Sequence, residues 1–111
     1  MGSTDSLLGA LELLVLKALE NRAMHGWGIT LHIQNVSNEV LRVEEGSLYP
    51  ALHRMEKAGW VKAEWGLSEN NRRARFYKIT AAGRNQLRSE QEKWESVAQA
   101  IALVLRSKAL A

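Results

Sequence analysis

The sequence predicts a mostly α-helical (α+β) fold with three short helices, a β-hairpin and one long C-terminal helix. Three observations support this prediction. Apolar residues repeat at helical spacing in three segments before Gly59, alternate with charged residues over Val61–Trp65, and repeat at helical spacing again after Thr80. With 111 residues, of which 46% are hydrophobic and 24% charged, the chain is long enough for one folded domain with an appendage.

The first two helices are predicted from dense apolar segments. The first covers Leu7–Leu19, and its start is expected at a polar N-cap within residues 3–6. Its apolar residues spread over more than one face, so this helix must pack against more than one partner. The second helix opens with His25–Ile29 and is expected to end near Ser37.

The third helix is predicted from an apolar stripe with helical spacing, formed by Leu48, Leu52, Met55 and Ala58. Pro50 is expected near its first turn, because a proline deeper in a helix removes a hydrogen bond. Gly59 is the expected residue just beyond its C-terminus, where a left-handed backbone favours glycine.

A hairpin and the long helix complete the predicted order. Alternation over Val61–Trp65 predicts a strand whose buried face carries Val61, Ala63 and Trp65. After the polar residues 66–71, Arg75–Thr80 is expected to form the second strand, with Tyr77 and Ile79 on one face. Thr80 is the expected N-cap of a helix from about Ala81 to about Arg106.

Three helices followed by a hairpin are the layout of a winged helix-turn-helix DNA-binding domain, predicted here for residues 1–80, with a dimerisation helix over residues 81–111. Such a domain places the helix that corresponds to the third helix here in the major groove of DNA. The residues opposite or beside its apolar stripe are candidate DNA contacts, namely Ser47, Tyr49, Pro50, His53, Arg54 and Lys57. An ordinary solvated helix face would show a similar pattern.

Positive charge is concentrated in the hairpin. Four basic residues and one acidic residue give residues 66–80 a net charge of +3, which equals the formal charge of the whole chain. A localised basic patch is typical of a phosphate-binding element. We therefore expect DNA contacts at and after the turn, from Asn71, Arg72, Arg73 and Arg75. Charged residues also protect exposed strands, so a solubilising edge is the alternative.

The long last helix carries a heptad-like apolar seam that indicates a homodimer. The expected interface residues are Leu87, Trp94, Val97, Ala98, Ile101 and Leu105. Packing of this helix on the first helix of the same chain is the alternative. In a two-fold dimer, recognition helices about 34–36 Å apart would match a palindromic operator in double-stranded DNA.

Other classes of protein are disfavoured by what the sequence lacks. There is no cysteine, and the three histidines, His25, His32 and His53, have no ligand set around them, so we expect neither a metal site nor a cofactor. No paired catalytic groups or glycine-rich phosphate loop indicate an enzyme. Because no apolar segment reaches membrane length and residues 1–6 lack a basic leader, a cytoplasmic location is expected. A winged helix used only for protein contacts is the main rival.

Several motifs closely resemble the PadR family of bacterial transcriptional regulators over residues 7–105. They are Leu11–Leu16, His25–Ile29, Glu44–Leu52, Gly59–Val61, Asn71–Tyr77 and Ile79–Gly83. The Gly-Ser-Leu-Tyr-Pro block and the Asn-Arg-Arg turn are the most specific of these. Two departures are visible, since Trp27 stands where a tyrosine is usual and Ala81 or Ala82 replaces a frequent proline.

The resemblance implies a dimeric winged helix repressor with its last helix in the dimer interface. A single such helix is similar to the shorter branch of the family, in which some members bind flat aromatic compounds beside a tryptophan of that helix. Trp94 matches that position and is a candidate contact for a small aromatic ligand, although a simple role as an interface anchor explains it equally well.

Overall fold

The computed structural model describes residues 2–108, and side chains from residue 10 onward. Within this range the chain forms four helices and three strands. In order they are α1 (Gly2–Ala18), β1 (Met24–His25), α2 (Gly26–Val36), α3 (Glu45–Lys57), β2 (Val61–Leu67), β3 (Arg73–Ile79) and α4 (Ala81–Arg106). The predicted fold class is confirmed, with three short helices, a hairpin and a long last helix. The two-residue strand β1 is an addition, because it is too short to produce a periodic pattern.

The core is built around α1, which contacts α2, α3 and α4. Three contacts on different sides explain why its apolar residues spread around the helix. Leu11, Val15, Leu16 and Leu19 are all buried there. The predicted N-cap within residues 3–6 is wrong, because α1 already begins at Gly2. The side chains of Leu7 and Leu8 lie outside the described residues.

The start of α2 is held by His25. Its Nδ1 accepts a hydrogen bond from the backbone N–H of Gly28 at 3.0 Å, which satisfies one of the free donors of the first turn. The same ring packs edge-on against Phe76, with the ring centroids 5.2 Å apart. Met24 and His25 of β1 pair with Tyr77 and Phe76 of β3. Because α2 follows β1 directly, this pairing holds the start of α2 against the sheet.

In α3 the predicted apolar stripe is buried as far as Met55, whereas Ala58 is exposed. Gly59 has φ +83°, and Trp60 donates its N–H to the Met55 carbonyl, which is the glycine-terminated helix end that was predicted. Pro50 is the sixth residue of α3, just after its first turn. The carbonyl of Gly46 therefore receives no helical hydrogen bond from residue 50.

The sheet has the strand order β1-β3-β2 and is antiparallel throughout. The hairpin of β2 and β3, called the wing below, pairs from Val61↔Ile79 at its base to Leu67↔Arg73 near its tip. Val61, Tyr77 and Ile79 are buried as predicted. Trp65 was expected on the buried face but is 61% exposed, because the outer half of the wing extends beyond the helical core.

The long helix α4 begins as predicted. Thr80 Oγ1 accepts a hydrogen bond from the Gly83 N–H at 3.0 Å and donates one to the Gly59 carbonyl at 2.6 Å. Gly83 lies so close to the backbone carbonyl of Trp60 that a Cβ atom would collide with it. Leu87 is buried in the core of its own chain, so its expected place in a subunit interface is corrected. Of the helices within residues 2–108, none is both long and apolar enough to span a membrane.

Candidate nucleic-acid interface

The exposed face of α3 is polar and basic. The helix buries Leu48, Ala51, Leu52 and Met55, which leaves the opposite side open to solvent. All six residues predicted from this helix lie at the surface, with Ser47 half-buried and the others exposed, namely Tyr49, Pro50, His53, Arg54 and Lys57. This face offers hydroxyl, imidazole, guanidinium and ammonium donors along one helix, which suits contacts with base edges and phosphates.

Tyr49 is held in place by α2. Its hydroxyl lies against Gly26, and a Cβ atom at that glycine would collide with the phenol. The first residue of α2 therefore has to lack a side chain if the Tyr49 ring is to keep its position. In this way the His25–Ile29 motif of α2 acts on the orientation of a residue in α3.

Two of the predicted arginines are held by acidic residues. Arg54 Nε lies 3.3 Å from the Glu12 carboxylate of α1, and an Arg75 guanidinium nitrogen lies 3.1 Å from the Glu56 carboxylate of α3. Both pairs are partly exposed, and ion pairs of this kind contribute little to stability. They orient the two guanidinium groups without consuming all of their donors, since arginine carries five N–H groups.

The wing tip is a tight turn between Leu67 and Arg73. Ser68 donates its N–H to the Arg72 carbonyl at 2.8 Å, and the Asn71 N–H bonds to the Ser68 carbonyl at 2.9 Å. Asn71 has φ +62°, a left-handed conformation that asparagine tolerates better than most residues. The turn leaves Arg72 and Arg73 exposed at the tip.

Arg73 is further ordered by Trp65, which was predicted to lie on the buried face of its strand. Its guanidinium carbon lies 4.6 Å from the centre of the Trp65 ring, a cation–π arrangement. A planar guanidinium stacked on indole keeps its N–H edges available to an anion. The alternation of Val61–Trp65 predicted correctly the face of the strand on which Trp65 lies. This face is exposed at Trp65 because the outer half of the wing extends beyond the helical core.

A groove of about 700 Å³, called the wing groove below, separates the wing from the starts of α2 and α3. Its lining includes Trp27, Tyr49, Trp65, Arg73, Arg75 and Tyr77. Burial raises the pKa of Tyr77, and the nearby positive charge of Arg75 opposes that shift. Trp27 was singled out only as a departure from a usual tyrosine, and nothing local in the sequence indicates that it faces the wing.

The outer half of α4 presents a second candidate surface. Trp94, Val97, Ile101, Val104 and Leu105 are between 49% and 79% exposed, and Ala98 is exposed beside them. A continuous apolar surface of this kind is typical of a protein interface. It begins after Leu87, one to two turns beyond the part of α4 that packs on the core.

The chain matches the PadR-like transcriptional regulator family over residues 15–89. The chain belongs to this family. Its members are transcriptional regulators rather than enzymes, which confirms both the resemblance drawn from the sequence and the expectation of a non-enzyme.

Individual relatives agree with this assignment. The chain is 33% identical over 92 residues to a transcriptional regulator of Mycobacterium tuberculosis, with 83% of this chain and 82% of the relative covered. A transcriptional regulator from Clostridium thermocellum has a similar structure, with a TM-score of 0.79, 28% identity, and coverage of 88% and 95% of the two chains. A PadR-like transcriptional regulator from Bacillus cereus gives a TM-score of 0.79 at 25% identity, covering 94% of this chain and 99% of that one.

Proposed function

We propose that this PadR-like regulator binds a palindromic operator in double-stranded DNA as a homodimer and represses transcription. One observation supports DNA binding above all others. The exposed start of α3, at Tyr49, and the arginines of the wing border the same groove, so both elements can face one duplex.

In this proposal residues 1–80 form the DNA-binding domain. The polar face of α3 enters the major groove, where His53, Arg54 and Lys57 reach base edges or phosphates while Ser47 and Tyr49 bond phosphate oxygens. The wing lies over the neighbouring backbone or minor groove, and its arginines supply sequence-independent attraction to the phosphates.

The dimer forms through residues 81–111. The apolar face from Trp94 to Leu105 packs on its counterpart in a second copy, which removes that surface from water. A two-fold axis between the helices sets the two α3 helices about 34–36 Å apart, the spacing of successive major grooves on one side of the duplex. Repression follows if the operator overlaps the site that the polymerase needs.

Release of the operator by a small aromatic ligand is the finer part of the proposal. Trp94 is 49% exposed at the start of the α4 surface, where a flat aromatic compound could stack on its indole. A ligand between the two α4 helices changes the spacing of the α3 helices only if it binds the two arrangements unequally. Flat aromatic compounds should therefore alter Trp fluorescence and operator affinity together, and binding without a change in affinity would contradict the switch.

The first test is a gel-shift titration with DNA from just upstream of the protein's own coding region. It is run at two salt concentrations and with excess competitor DNA. A discrete shift that survives the competitor is expected, and footprinting then gives the half-site spacing. A shift at neither salt concentration would contradict DNA binding and favour a protein-contact role for the domain.

The wing is tested by the double variant Arg72→Ala, Arg73→Ala. Loss of two phosphate contacts should weaken binding to all sequences and reduce the slope of log K against log salt by about 1.8, since each contact contributes about 0.9. The control Arg88→Ala, Lys93→Ala removes the same charge from α4 and should leave the slope unchanged. Equal slopes in the wing variant and the wild type would remove the wing from the proposal.

A further inference from the structure

The wing groove contains more aromatic surface than an ordinary phosphate site requires. Trp27 is 59% exposed and Trp65 is 61% exposed, and both line this one groove together with Tyr49. Phosphate oxygens need N–H and O–H donors, for which arginine and backbone groups suffice. Large aromatic side chains left open at a polar surface indicate a ligand that also has an apolar part.

The two walls of the groove differ in chemistry. The wall from α2 and α3 supplies Trp27 and Tyr49, each with a ring and a single donor. The wall from the wing supplies the guanidinium groups of Arg73 and Arg75, with the Trp65 ring beneath Arg73. A ligand between these walls meets aromatic surface on one side and positive charge on the other.

The backbone of a DNA strand has the matching composition, because anionic phosphates alternate along it with deoxyribose rings that carry apolar C–H groups. Arginine binds the phosphates, and aromatic side chains pack against the sugars. The N-terminal end of α2 also opens into this groove and adds partial positive charge at Gly26 and Trp27. Glu69 also lines the groove, and its carboxylate opposes phosphate at its own position.

We propose that the wing groove is a channel for the sugar–phosphate backbone of one DNA strand, with Trp27 in direct contact with that strand and Trp65 as a positioning residue that holds Arg73 against a phosphate. This inference rests on the proposed DNA binding and adds two residues that neither α3 nor the wing tip supplies. It also explains why the bulky residue at position 27 is left exposed although α2 buries Ile29 and Ile33.

The first test measures affinity for the DNA fragment that the wild-type protein shifts. Trp27→Ala should weaken binding about tenfold because its packing on the strand is lost, and Trp65→Ala should weaken it about tenfold because Arg73 is no longer held against a phosphate. Two exposed apolar residues outside the groove lining provide matched controls, Val36→Ala in α2 and Val40→Ala in the loop after α2, which should stay within about twofold because neither has a proposed contact with the strand. Melting curves of all four variants confirm that each is folded.

Salt dependence separates positioning from contact. Trp65→Ala should flatten the slope of log K against log salt by up to about 0.9, because Arg73 then no longer holds its phosphate. Arg73→Ala introduced into the Trp65→Ala protein should add little, whereas the two changes would be additive if the residues acted independently. A purely structural role for Trp65 would lower stability and leave the slope unchanged.

An independent readout uses the unmutated sequence labelled with 5-fluorotryptophan. In ¹⁹F spectra the Trp27 and Trp65 signals should lose their H₂O/D₂O isotope shift when DNA is added, and the Trp60 and Trp94 signals should not change. If all four signals keep their solvent exposure and both alanine variants bind like the wild type, the channel is overturned while DNA binding stands. If the wild-type protein shifts no duplex at any salt concentration, the proposed function and this inference fail together.

Discussion

The two halves of α4 carry apolar residues at the same helical spacing and lie in opposite environments. Near its start, Gly83 lies against the Trp60 carbonyl and Leu87 is 3% exposed within the core. Farther along, Ile101 is 53% exposed, and the large apolar residues on the same face between Trp94 and Leu105 are between 49% and 79% exposed. Apolar residues at helical spacing therefore identify a helix face that needs a partner, but they do not show whether the same chain or a second copy covers it.

The largest expected effect is loss of the proposed dimer through a change in the outer half of α4. Ile101→Glu places a carboxylate in the proposed interface, where burial of an unpaired charge costs several kcal/mol, about 3–5. We expect the dimer to dissociate while the melting curve still shows a folded domain. Sedimentation equilibrium measures the mass, and the control Gln99→Glu adds the same charge at an exposed residue on the other side of the helix. Identical masses for the two variants would contradict an interface on this face.

The next prediction compares the same substitution, leucine to alanine, in the two halves of α4. In the Ile101→Glu background, Leu87→Ala should lower the free energy of unfolding by about 3 kcal/mol, because it leaves a cavity in the core. Leu105→Ala removes the same atoms from an exposed position and should cost less than about 0.5 kcal/mol there. Urea denaturation measures both. Equal losses would show that the outer half packs on its own chain.

A smaller effect concerns how the inner half is anchored. Gly83→Ala introduces a Cβ atom against the backbone of Trp60, which cannot move aside as a flexible side chain would. We expect a loss of about 2 kcal/mol from this overpacking. Gly46→Ala in α3 is the matched control, because no heavy atom lies within 4 Å of its added Cβ, and it should stabilise the helix slightly. Thermal unfolding of the two variants decides, and a stabilising Gly83→Ala would contradict the close contact.

The smallest expected effect is a pH dependence of the free energy of unfolding that arises from Tyr77. Burial raises the pKa of Tyr77 above its ordinary value of 10.0, so the folded state retains the phenolic proton more strongly than the unfolded chain. This contribution to stability is complete below pH 10.0 and is lost as the pH rises through the folded-state pKa. Urea denaturation at pH 9 and 11 should show a steeper loss in the wild type than in Tyr77→Phe. A loss unchanged by Tyr77→Phe would contradict it.

Much of the proposed DNA-facing surface is predictable because its signals are local. The stripe of Leu48, Leu52 and Met55 defines the opposite face of α3, and Gly59 and Thr80 mark where helices end and begin. The arginines of the wing stand out by charge alone. These features depend on residues within a few positions of one another.

The environments of Trp65 and Leu87 were predicted wrongly, because they depend on parts of the chain that are distant in sequence. Trp65 and Leu87 were each assigned to the correct face of the correct element, yet one is open and the other buried in its own chain. In both cases the error concerns what lies opposite the residue in the fold.

The type and order of the main elements and the basic wing can be read from the sequence, because helical spacing, capping and charge are properties of neighbouring residues, and short motifs identify the regulator family. Which apolar residues the chain covers, and the meeting of Trp27, Tyr49 and Trp65 across one groove, depend on the tertiary structure. Those outcomes depend on contacts between segments far apart in the chain, in which α2, α3 and the wing are brought together by the shared core.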